Sequence, residues 1–301
     1  MDPKRKGGRL FDYTRKLRYR ISLDRKTFII YSVLRGLVIL TLIRMLMTRS
    51  YEGAMICILS LILLLAPAAF EDYFKIKIPP LFEGIIYLFI YAAEIMGEIN
   101  HYYVLIPGWD TVLHTMNGFL CAALGFSLVY LMNRNSKNVS LSPFYLTMVA
   151  FCFSMTVGVI WEFIEFEVDY FFMLDMQKDF IIDRFGSVML DPKGLGTPVA
   201  VRNITETSIR TASGAVYTIK GGYLDIGILD TMKDLLVNFL GAVAFSVIGY
   251  ISLKTKKSSA IAESLMVRPL TEEQRMEVEE EIRQKEIRRR EKRRRKKARE
   301  Q

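Results

Sequence analysis

Gly108 to Met132 reads GWDTVLHTMNGFLCAALGFSLVYLM. From Thr111 onward the stretch is apolar and close to the roughly 20 residues that a helix needs to cross ~30 Å of hydrocarbon. Its mouth nevertheless carries Asp110, His114 and Asn117. Asp110 and His114 are four apart and share a helix face, and Asn117 continues that face by one turn. A membrane-crossing helix with an acid, an imidazole and an amide in line needs something polar to face.

Five other runs have the same character, at about 27 to 48, 54 to 70, 84 to 104, 144 to 166 and 231 to 253. The 301-residue chain is 51% hydrophobic, and its 24% of charged residues are segregated from the apolar runs. Together with a positive mean hydropathy, this pattern argues against an ordinary soluble domain. It specifies an all-α polytopic membrane protein with about six transmembrane helices. The expected division is a basic N-terminal segment over 1–26, a transmembrane domain over 27–253 that includes a connection at 174–229, and a charged, basic tail over 254–301. The first run has no small-residue cleavage site after it and reads as a retained anchor. The three cysteines, Cys57, Cys121 and Cys152, lie inside apolar runs without metal-ligand spacing and read as buried free thiols.

Lys and Arg near helix ends mark the cytoplasmic side. Ten of them precede the first run. Lys75 and Lys77 follow the second, Arg134 and Lys137 follow the fourth, and a very basic tail follows the sixth. The connection from Glu98 to Trp109 has none. Six spans with both termini cytoplasmic fit this distribution, and the 174–229 connection then lies outside as a cap. Within it, Ser208 to Ile219 reads as two short strands around Ser213 and Gly214.

That topology places every polar cluster at the outer face. The fifth run ends WEFIEFEVDYFF, with Glu162, Glu165 and Asp169 on one helix face. The sixth begins DTMKDLLVNFLGA, with Asp230, Asp234 and Asn238 recurring every four residues, and the third ends with Glu94 and Glu98 at the same spacing. A charge at the centre of a spanning helix costs about 2.5 to 3.5 kcal/mol on insertion scales, so the cheaper arrangement turns these stripes toward one another. Arg44, near the outer end of the first run, is the candidate basic partner. The alternative is that Asp110 and Asp230 cap their helices and the remaining acids are solvated at the interface.

An imidazole among carboxylates and amides suits Mg²⁺, Mn²⁺ or Ca²⁺, with Zn²⁺ or Fe²⁺ admissible through His114. The expected ligand set for a divalent metal ion is Asp110, His114, Glu162, Glu165, Asp230 and Asp234, supported by Asn117 and Asn238. Asp110, His114, Glu162 and Glu165 are the candidate acid/base groups if the site hydrolyses a lipid headgroup. The same residue types also build proton or cation pathways. A third reading is an accessory membrane protein whose polar network only fixes helix packing. No HExxH, GxSxG or P-loop pattern selects an enzyme class.

The ordered set WDTVLH, Asn117-Gly118, WEFIEF with Asp169, Met176-Gln177 and GYLDIGILDTMKDLLVNFLGA resembles the YjdF-type family of uncharacterised bacterial inner-membrane proteins over roughly 25–252. A looser similarity runs to VanZ-like membrane proteins, which have an aspartate and histidine on one helix, an acid on the next and D, D, N, G on the last. The resemblance implies a multi-pass protein of the bacterial inner membrane in a cell-envelope setting, and the polar site read above would take a lipid or envelope-precursor headgroup as its ligand. VanZ-like proteins add a link to glycopeptide resistance. Glu165 departs from that pattern, where a glutamine is usual, and Met116-Asn117-Gly118 replaces a tyrosine region.

The tail is acidic over Glu272–Glu281 and dense in Lys and Arg over Arg288–Arg299. Basic segments near a membrane are drawn to anionic lipid. With no aromatic interleaving, the tail lacks the means to stack on bases, which argues against a nucleic-acid partner.

Overall fold

The computed structural model describes residues 24–74, 76–135, 141–255 and 265–269, with isolated positions between 272 and 287. Most of the two tails, including the basic block at 288–299 and its expected contact with anionic lipid, lies outside the described residues. Six helical segments have the length and composition to cross a membrane.

The first span is α1 (Arg25–Met47), started by the Asp24 carboxylate, which accepts the Thr27 N–H at 2.9 Å. The second consists of two helices, α2 (Tyr51–Leu63) and α3 (Ala66–Phe74). Pro67 explains the break: it has no N–H to give the Leu63 carbonyl, and its ring is tolerated only in a first turn. The third span is α4 (Pro80–Tyr91), which widens into a π-helical stretch over Ala92–Ile99. It ends before 104, because His101 takes a left-handed conformation and a separate short helix, α5 (Tyr102–Leu105), follows. The fourth is α6 (Trp109–Asn135), the fifth α7 (Pro143–Phe172) and the sixth α8 (Ile228–Thr255).

The spans form two groups. α6, α7 and α8 pack on one another, and α1, α2 and α4 form the second group. Phe82, Ala122, Ala123, Phe126, Leu146, Ala150, Ala242 and Phe245 lie in the first core, and Tyr31, Leu34, Val38, Cys57, Leu64, Ala68 and Tyr87 in the second. Leu40, Ile58, Ile62, Leu236 and Leu240 point outward, as expected of side chains that meet lipid.

Glycines set the spacing within the first group. A methyl group on Gly118 of α6 would overlap the Asn238 carbonyl of α8, and one on Gly241 of α8 would overlap the Thr115 carbonyl of α6. The two backbones therefore touch, in the small-residue packing that membrane helices use. Ser154 of α7 donates to the Gly118 carbonyl at 2.7 Å and fixes the third helix to the same point.

The connection between α7 and α8 is built from short antiparallel pairs. β2 (Ile181–Ile182) pairs with β7 (Tyr223–Leu224), β3 (Phe185–Ser187) with β4 (Val199–Val201), and β5 (Glu206–Arg210) with β6 (Val216–Lys220). The last pair is the hairpin read from the sequence, turning through Gly214 at φ 85. At the far end of the bundle β8 (Arg268–Pro269) pairs with β1 (Ile76–Lys77), and Leu265 and Val267 are buried beside α6. The stretch 265–269, read from sequence as part of a charged tail, thus returns to the bundle because Leu265, Met266 and Val267 supply an apolar face.

Candidate functional site

His114 lies where α6, α7 and α8 meet, and each of its ring nitrogens faces a different helix. Nε2 is 3.3 Å from Oδ1 of Asp110, one turn earlier on α6, and 3.8 Å from Oδ2 of Asp234 on α8. Nδ1 is 3.8 Å from Oε1 of Glu162 on α7. One ligand atom from each of Asp110, His114 and Asp234 falls within 4.8 Å of the others. Donors bound to one ion at about 2.0 to 2.6 Å are separated by no more than about 5 Å, so this triad has the dimensions of a metal site. Asp234 is only 1% exposed, and its Oδ1 receives no hydrogen bond among the described residues. The same holds for Oε2 of Glu162. Buried oxygens without a hydrogen bond are costly unless a cation or proton joins them, and Nζ of Lys233 stands 3.7 Å from Oδ1 of Asp234.

Above the triad opens a cleft of about 200 Å³. Gly108 lines it just before α6, α6 contributes Asp110, α8 contributes Asp230, Lys233 and Asp234, and α7 contributes Glu165. Glu98 and Tyr103 form the opposite wall, and Met176, Lys178 and Phe180 of the connection close the top. The connection is tied down by charged groups. The Lys178 N–H donates to Asp230 at 2.8 Å, and the Gln177 amide donates to Thr231 at 2.6 Å. Asp169 accepts the N–H groups of Met176 and Gln177 at 2.6 and 2.8 Å, just beyond the left-handed Met173 that ends α7.

The six expected ligands do not form one shell. Asp110, His114 and Asp234 converge. Glu162 faces the other imidazole nitrogen at 3.8 Å. Glu165 accepts the Trp161 indole N–H at 2.8 Å and lines the cleft, and Asp230 is held by Lys178 and Lys233. Nor is Asp230 the cap of its helix: Asp225 accepts the Leu229 N–H at 2.9 Å and takes that role. The side-chain amide of Asn117 donates to Oδ1 of Asn238 at 3.0 Å and joins α6 to α8 one turn below the triad. Glu98 reaches the cleft, whereas Glu94 is buried outside it.

Arg44 is not the basic partner of the cluster, because it extends from α1 to Asn100, at 3.4 Å. Lys233 occupies that position. Its Nζ lies 3.0 Å from Asp110, 3.5 Å from Asp230 and 3.7 Å from Asp234. The sequence carried a signal for it, since a lysine three residues after one aspartate and next to another, at the mouth of an apolar helix, has few other groups to pair with.

These residues lie within a region that a known family shares. The chain belongs to the predicted membrane protein family DUF2238. The family's pattern matches residues 30–255 and so takes in most of α1, all the other spans and the connection that closes the cleft. The YjdF-type likeness read from the sequence is membership of this family. No curated protein matches the chain, and no solved structure does.

Proposed function

We propose that this membrane protein binds a divalent cation through Asp110, His114 and Asp234 and uses the cleft above it to act on a lipid-linked headgroup by hydrolysis. The convergence of one nitrogen and two carboxylate oxygens, one of them on the almost fully buried Asp234, carries the reading. A single imidazole beside carboxylates suits Mn²⁺, Fe²⁺ or Zn²⁺ better than all-oxygen sites do. A bound ion would supply Lewis-acid polarisation of an ester oxygen and a more acidic water.

The chain's own groups have distinct tasks in this reading. Glu162 faces Nδ1 and keeps Nε2 turned to the ion, the orienting role that carboxylates commonly take behind metal-bound histidines. Glu165, fixed by Trp161, faces the cleft and is placed to accept a proton from water. Lys178 and Lys233 flank the opening and favour a headgroup with anionic character. We read the cleft as extracytoplasmic and both termini as cytoplasmic, from the Lys and Arg distribution, in a bacterial inner membrane.

Elemental analysis of the detergent-purified protein beside His114→Ala and Asp234→Ala tests the cation site. Near-stoichiometric metal in the parent, lost in both variants, is expected. Absence of metal after incubation with Mg²⁺, Mn²⁺, Ca²⁺, Fe²⁺ and Zn²⁺ would overturn it. Release of headgroup from a panel of lipid-linked phosphates then tests hydrolysis separately.

A further inference from the structure

The wall of the cleft opposite the cation site carries two polar groups, Glu98 and Tyr103, to which the hydrolytic reading gives no task. Over Ala92–Ile99 the third span is π-helical, a widening that frequently marks a functional position. Three contacts fix this stretch. The Ala92 carbonyl accepts the Trp109 indole N–H at 3.3 Å, and the Trp109 ring meets Tyr102 of α5 edge to face at 5.2 Å. The Tyr103 ring lies so close to Gly97 that a methyl group there would overlap it.

Among the described residues the Glu98 carboxylate has no hydrogen bond or ion pair, and the Tyr103 hydroxyl has no hydrogen bond. Both side chains are partly buried. Lys178 is within electrostatic reach of Glu98, but its Nζ is turned to the carbonyl and carboxylate of Asp175. Lys233 is engaged with Asp110, Asp230 and Asp234 on the facing side. The cleft of about 200 Å³ therefore sets two lysines and the cation site against a carboxylate with open acceptor positions. A wholly anionic headgroup would be repelled at Glu98, and a wholly cationic one at the lysines and the ion.

That pattern suits a zwitterion. We propose, resting on the cation-site reading above, that the cleft takes a phosphoester carrying a primary ammonium, as an ethanolamine headgroup does. The phosphate lies toward the cation and Lys233, and the ammonium lies toward Glu98 and Tyr103. An ammonium has three N–H donors and no acceptor, which matches two carboxylate oxygens and a hydroxyl. A quaternary ammonium has no N–H to give them and is recognised by aromatic cages instead. A glycerol headgroup has no charge to offer Glu98.

The test is calorimetric titration of the full-length, detergent-purified protein, incubated with Mn²⁺, with O-phosphoethanolamine, phosphocholine and glycerol 3-phosphate. O-phosphoethanolamine should bind about tenfold more tightly than either of the others, the scale of one hydrogen bond to a charged group. Glu98→Gln should erase that preference while keeping its metal and its affinity for glycerol 3-phosphate, and Glu98→Asp should restore part of it. Thermal unfolding of the same samples identifies a misfolded variant, in which case Glu98→Asp and Tyr103→Phe, each with a reduced preference, carry the test. Dihexanoyl phosphatidylethanolamine separates the two sources of the headgroup: binding tighter than O-phosphoethanolamine assigns a lipid, and weaker binding a free phosphoester. Metal-loaded parent protein that does not discriminate among the probes or binds none, or folded Glu98→Gln with the parental preference, would overturn the ammonium subsite and leave the cation site standing. Protein that holds no metal yet prefers O-phosphoethanolamine through Glu98 would overturn the cation site and uphold the subsite.

Discussion

Nζ of Lys233 on α8 lies 3.0 Å from Oδ2 of Asp110 on α6, so a lysine occupies the edge of the very site where we place a cation. Its side chain is 40% exposed. At the proposed site a metal ion would compete with this lysine for Asp110 and Asp234.

Lys233→Met should tighten metal binding. A unit charge about 4 Å away contributes about 4 kcal/mol at an effective dielectric of 20, and solvent around an exposed lysine reduces that considerably. A gain of about tenfold in Mn²⁺ affinity, near 1.4 kcal/mol, is the expected result by calorimetric titration. Weaker binding in the variant would instead make Lys233 part of the site's support.

Chelation should lower the thermal unfolding temperature of the parent protein but not of Asp234→Asn. Ligand that binds only the folded state stabilises by about 2.7 kcal/mol at a hundredfold excess over Kd. Equal shifts in both proteins, measured by detergent-phase scanning fluorimetry, would place the metal elsewhere.

Gly118→Val and Gly241→Val should separate α6 from α8, since neither backbone carbonyl opposite can move like a side chain. Overpacking costs typically about 1 to 3 kcal/mol. The distinguishing expectation is that both variants lose metal along with thermal stability, because Asp234 is carried away from His114. Retained stoichiometric metal would show that the triad tolerates the displacement.

The Asn117 and Asn238 pair predicts a measurable coupling. A double-mutant cycle with leucine at each position should give about 0.6 kcal/mol, the usual scale for hydrogen bonds between membrane helices. A coupling energy of zero would leave the contact as shape complementarity alone.

Asp191 in the connection provides a pH prediction. Its carboxylate accepts the N–H groups of Lys193, Leu195 and Thr197 at 2.9, 2.9 and 3.0 Å, and these bonds hold it below the ordinary carboxylate range. Because the folded group is the stronger acid, its contribution is complete above the unfolded value near 4 and disappears as the pH falls through the lower folded value. Backbone amide exchange over 193–197 should therefore accelerate in acid beyond its intrinsic pH dependence, and Asp191→Ala should show fast exchange at neutral pH as well.

The sequence by itself determined the class of protein and much of the material of the site. Six apolar runs have no stable soluble arrangement, and the four-residue spacing of Asp110 with His114 and of Asp230 with Asp234 follows from helix geometry alone. Spacing within one helix does not say which face turns toward which neighbour. That was decided by Gly118 against Asn238, Gly241 against Thr115 and Ser154 on Gly118, which set the rotation and separation of α6, α7 and α8. Those contacts bring Asp234 to one nitrogen of His114 and Glu162 to the other, and they leave Asp169 to hold Met176 and Gln177 of the connection beyond α7. They also give Lys233, not Arg44, to the acids. Contacts between helices 36 to 121 residues apart in sequence depend on packing at close range, and no local periodicity encodes them.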